Sequence, residues 1–177
     1  MKNVLVMGAS FLVFLIIYFL QINFFSWFNL AGIKPNLFVI LVLFLGLYSG
    51  QKNGLFLGII FGIFLDITMG INIGVSAIML AIIGILGGYF DKNFSKDNRI
   101  TMMGMAVGST FVYELGLYIL NALISGFSIE ILAFMKIVIV EMFFNMMLII
   151  ILYPLLQKAG YALENMYKSS QVLTRYF

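Results

Sequence analysis

The sequence predicts an all-α, polytopic membrane helix bundle with six transmembrane helices and a C-terminal amphipathic helix. Hydrophobic residues make up 63% of the 177 positions and charged residues only 10%, where soluble domains carry about 25% charged residues. The apolar residues come in runs near the ~20 residues that cross a bilayer. Basic residues gather in alternate short loops, as the positive-inside rule requires of a polytopic protein. A soluble chain of this size has too much surface for its volume to hide so much apolar area.

The first span covers residues 4–28, with Gln21 and Asn23 as polar interruptions near its end. Lys2 ahead of an apolar run suggests a signal peptide, but the run is too long and no small-residue cleavage site follows. Residues 29–36 hold Gly32 and Pro35 and read as a turn. The second span, residues 37–49, reaches only ~20 Å against a hydrocarbon core of ~30 Å. It is either a short crossing with Lys34 and Lys52 snorkelling from its ends, or one arm of a re-entrant pair over residues 37–68. Residues 50–54 break the chain before a third span at 55–68. A fourth covers 74–90, the polar stretch 91–99 follows, and a fifth covers 100–124. Residues 125–130 turn the chain into a sixth span, 131–153, ending at Pro154.

With a cytoplasmic amino terminus, the inside carries Lys2, Lys52, Lys92, Lys96, Arg99, Lys158, Lys168 and Arg175. The outside carries only Lys34 and Lys136, so both termini are expected in the cytoplasm. The chain divides into a transmembrane domain at 1–153 and a cytoplasmic amphipathic tail at 154–177. Leu156, Ala159, Leu163, Met166 and Leu173 recur in that tail at helical spacing among Lys158, Glu164 and Lys168. Such a helix suits the membrane surface or a docked partner.

Composition excludes much chemistry. Without cysteine or histidine there are no disulfides, thiolate nucleophiles or histidine acid–base relays. No Gly-x-Ser-x-Gly elbow and no phosphate-binding loop is present, so catalysis, nucleotide binding and nucleic acid are not expected. No cofactor or metal is implied.

Two constellations remain. Gly54, Gly58, Gly62 and Asp66 follow one another at intervals of four along the third span, and the spacing continues to Gly70. Small residues let membrane helices approach closely, so this groove serves internal packing or receives a partner helix. The second set is the buried charges Glu114, Lys136 and Glu141, with Asp66. Each carboxylate at membrane depth costs about 2.5–3.5 kcal/mol on the insertion scale and needs a partner. The acids fall in the middle-to-outer half, where they are expected to share Lys136 or bond to Asn145 and Tyr113. A proton or cation path is the alternative.

One stretch is similar to a known family. Pro35-Asn36 opens the second span, then come the glycine series, Gly62-Ile63-Phe64-Leu65-Asp66, Gly70, Gly74 and Gly88-Tyr89. With Asn145 and Tyr153-Pro154-Leu155 later in the chain, this resembles the rod-shape-determining protein MreD family. The distinctive part is residues 35–90. The resemblance implies a multi-pass protein of the bacterial cytoplasmic membrane, with a fold similar to the substrate-binding subunits of vitamin transporters. It implies a non-enzymatic scaffold of the cell-wall elongation complex, needed for rod shape and lateral peptidoglycan synthesis. The implied partners are an MreC-like membrane protein, a RodA-type glycosyltransferase, a transpeptidase penicillin-binding protein and the MreB filament, besides the lipid bilayer. Gly58, Gly62, Asp66 and Gly70 match the family as structural or partner-contact positions. A vitamin-type binding subunit of a transporter and an ion-coupled carrier are the competing functions.

Overall fold

The computed structural model describes residues 2–27, 32–69, 72–126 and 130–173. Six helices occupy them: α1 (Lys2–Asn23), α2 (Leu37–Ser49), α3 (Gln51–Met69), α4 (Val75–Asn93), α5 (Arg99–Ser125) and α6 (Ile131–Leu173). All except α2 are long and apolar enough to cross a membrane.

The short helix is the centre of the bundle. Every residue of α2 from Leu37 to Tyr48 is buried, as a helix apolar on all faces demands. It packs against each of the other five helices. A helix sheathed in protein does not have to match the hydrocarbon thickness, which accounts for its ~20 Å length. At one end Tyr48 stacks edge-on against Tyr161. At the other, the Asn36 amide donates to Asn145 Oδ1 at 2.9 Å, ~21 Å along α6 from Ile131. The N-terminus of α2 therefore starts inside the bundle, and residues 32–36 lead into it as non-helical backbone. Polar backbone at that depth needs protein partners. Gln21 supplies two: its Nε2 donates to the Pro35 carbonyl at 2.7 Å, and its Oε1 accepts from the Leu37 amide at 3.2 Å.

Gly50 turns α2 directly into α3 with φ +90, a conformation open to glycine and strained for other residues. Because that one residue makes the turn, residues 51–54, expected as part of a linker, form the first turn of α3. The helix α3 returns antiparallel and pairs along most of α4. On the other side, α1 is held to α2 and α3 by aromatic rings. Phe14 is fully buried and stacks on Phe61 at 4.2 Å between centroids, with Phe38 at 5.7 Å.

The helix of the sixth span does not stop at Pro154; α6 continues through it to Leu173. Neighbouring helices in a membrane bundle can re-satisfy the backbone that proline frees. Part of this continuation packs on the bundle, while Ala159 and Met166 of its expected apolar stripe are exposed. Leu156, Tyr161 and Leu163 lie against the core, and Gly160 sits on the Tyr48 ring, where a Cβ would collide.

Candidate functional site

The glycine face of α3 is closed by α4. A Cβ on Gly54 would strike the Gly84 carbonyl, one on Gly58 the Leu80 carbonyl, and one on Gly62 the backbone of Ala77. Gly84 meets Gly54 in return. Backbones this close leave no space for a second helix in the groove. Gly70 lies outside the described residues.

Asp66, one helical turn beyond Gly62, is buried and turned onto the start of α4. Its Oδ2 accepts from the amides of Gly74 at 2.8 Å and Ala77 at 3.2 Å, and its Oδ1 accepts from Ser76 at 3.1 Å. These are among the amides a helix start leaves unpaired, and the positive end of the α4 dipole favours an acid there. Gly74, the residue before α4, has no side chain to cap with, so α3 provides the cap from outside.

Around the N-terminus of α2 four helices bring polar groups together. Asn36 caps α2 through Val39 at 3.3 Å. Asn145, fully buried on α6, donates through Nδ2 to Thr110 on α5 at 2.9 Å while its Oδ1 holds the Asn36 amide. Tyr113 is in hydrogen-bonding reach of Asn36 and of Ser76 on α4. Glu141 is within reach of Asn36 and of Glu114. The two expected acids thus meet each other, and Asn145 and Tyr113 sit beside them, though Asn145 bonds to Thr110 and Asn36. Lys136, expected to be buried among the acids, is exposed on α6. It lies five residues before Glu141, so the helix points it to a different face.

At the opposite end, Lys96 is locked in place. Its Nζ pairs with Asp91 at 2.7 Å and with Glu164 of the α6 continuation at 2.8 Å, and its side chain is 15% exposed. It also lies 4.9 Å above the Tyr48 ring and 5.9 Å from that of Tyr161. Burial alone would lower the Lys96 pKa, but its hydrogen bonds to Asp91 and Glu164 outweigh that and hold it above the usual value. Asp97 accepts from the Tyr161 hydroxyl, and its carbonyl accepts from the Tyr153 hydroxyl at 2.5 Å. The Arg99 guanidinium lies 5.0 Å from the Tyr153 ring. Sequence reading missed these roles, as it did those of Gln21, Asn36 and Thr110. Lys96 and Arg99 were legible only as topological charges, because Glu164 and Tyr161, which hold Lys96 on α6, and Tyr153, beside Arg99, lie more than fifty residues away in the chain.

Between α4 and α5 an open groove of about 330 Å³ runs along the side of the bundle, lined by apolar residues such as Ile82, Val112, Gly116 and Ile119.

Five long apolar helices wrapped around a sixth, short one define a polytopic helical membrane protein. The family model of the rod shape-determining protein MreD matches residues 1–159, and the chain belongs to that family. Membership ties it to rod-shape determination and to the MreBCD system. No curated protein and no solved structure matches the chain, so the likeness to vitamin-transporter subunits gains no support.

Proposed function

We propose that the protein is a non-enzymatic membrane scaffold of the cell-wall elongation complex, joining an MreC-like membrane protein to the peptidoglycan-synthesising machinery. The observation that carries the reading is the family match, which spans nearly all of the membrane-embedded chain. The geometry supports it in two ways. The glycine face is filled by α4 and the polar interior is largely bonded to itself. The outward helix faces are then the surfaces left for partners. A RodA-type glycosyltransferase, a transpeptidase penicillin-binding protein and the MreB filament belong to the same assembly in this reading.

Orientation follows from charge. Lys52, Lys92, Lys96, Arg99 and Lys158 belong to the end of the bundle where α2 meets α3, α4 meets α5 and α6 emerges. The positive-inside rule puts that end in the cytoplasm, with both termini and the last part of α6. The test is depletion with parallel purification from native membranes. Loss of rod shape together with recovery of an MreC-like protein is expected. Depleted cells that stay rods, with a protein that purifies alone, overturn the proposal.

A further inference from the structure

Glu114 on α5 and Glu141 on α6 touch each other, with no cation beside them among the described residues. Their side chains are in hydrogen-bond contact, and Glu141 is only 6% exposed. Glu141 Oε1 is buried with no hydrogen-bond donor in reach. The groups around the pair are neutral: Asn36 from the start of α2, Tyr113 on α5, and Ser76 of α4 beyond Tyr113. From α3, Asp66 is engaged by the amides of α4. On α6, Asn145 spends its side chain on Thr110 and Asn36, and Lys136 is exposed.

Ionised carboxylates only accept hydrogen bonds, and two of them in contact repel. The contact therefore requires a positive charge shared by the two groups. An interposed metal ion would hold the oxygens apart at coordination distance, whereas a proton allows the direct hydrogen bond. The orphaned Oε1 is a second mark of the same kind: a buried oxygen without a donor is satisfied by binding a proton.

We propose that Glu114 and Glu141 form an intramembrane proton-binding site, which holds one exchangeable proton between them and fastens the α5–α6 seam to the start of α2. Each proton bound gives up one negative charge inside the bundle, so the pair carries a single charge rather than two. The protonated carboxyl donates to its partner, and the Asn36 side chain contacts Glu141.

The test uses the full chain in lipid nanodiscs, with infrared spectra of the carboxylic-acid carbonyl and unfolding followed against pH. A protonated-acid band is expected at neutral pH, absent from both Glu114→Gln and Glu141→Gln, since either amide takes over the donor role. The folded wild type holds a proton that the unfolded chain releases. Its unfolding equilibrium should therefore shift by up to tenfold per pH unit as pH rises above the ordinary carboxylate range. Each Gln variant should lack that dependence. If a variant does not fold, the wild-type band and its pH slope still decide. A neutral-pH spectrum without the band overturns the proposal. So does a band unchanged in both variants, or stabilisation by sodium over potassium at fixed pH, which would make this a cation site.

Discussion

Asp66 on α3 reaches across to the Gly74 amide and caps the helix that follows, 2.8 Å away. An acid that reads as a costly buried charge is thus a structural tie between the two most closely paired helices. Asp66→Ala leaves three amides at the start of α4 without their acceptor. Loss of a cap costs about 1 kcal/mol and of a bond to a charged group about 1.5–3. The variant should therefore be about 2–4 kcal/mol less stable by these values, with Asp66→Asn between it and wild type. Unfolding of the purified proteins in one detergent measures the order; equal stability of all three rules the cap out.

The contact of Gly54 with Gly84 separates packing from recognition. An added methyl at Gly58 or Gly84 meets backbone, which cannot swing aside. Overpacking of this kind costs about 1–3 kcal/mol. Gly58→Ala and Gly84→Ala should each lower the unfolding midpoint of the isolated protein, with no partner present. If both leave the isolated protein unchanged and only weaken capture of an MreC-like partner, the groove is a binding surface after all.

The continuation of α6 beyond Pro154 is tied to the bundle by Lys96 and Glu164. Because the Lys96 pKa is raised in the folded protein, its contribution to stability is complete below the ordinary lysine value of about 10.4 and is lost as pH rises through the folded-state value. Lys96→Met should release the continuation of α6 at neutral pH, seen as faster amide exchange around residues 157–166. The wild type should show the same release only at strongly alkaline pH. Equal exchange in the two proteins at neutral pH would mean that packing of Gly160 on Tyr48 is sufficient by itself.

The span pattern was legible because each long helix faces lipid and must be apolar over a fixed length. For α2 the same rule gave an ambiguous answer, since its length is set by the protein around it and not by the bilayer. Residues 32–36 could be read as a turn, but not as backbone entering the bundle, because its partners Gln21 and Asn145 come from α1 and α6. The tail was legible as amphipathic, yet its apolar stripe fits a membrane surface as well as a protein one. Gly160, which is outside that stripe, brings this part of α6 onto the bundle by making room for the Tyr48 ring. Lys136 shows the limit of depth arguments: rise along a helix locates a charge by height and says nothing about which face carries it.

Asn145 is the residue on which the start of α2 depends. Its Oδ1 accepts from the Asn36 amide and its Nδ2 donates to Thr110, in a place with no exposure to solvent. Asn145→Leu has a similar size but offers neither bond, leaving the Asn36 amide without its acceptor. A buried group stranded this way costs about 1–3 kcal/mol, more than the loss of an ordinary bond. Thr110 keeps its own bond to the Ala106 carbonyl, so Thr110→Val should be the milder change. The double variant decides whether they act together. If Asn145 works through both contacts, its cost should exceed that of Thr110→Val, and the double variant should lose less than the sum of the two. Additive losses would mean that the two residues stabilise the junction independently, and that the α5–α6 bond does not help to position the N-terminus of α2.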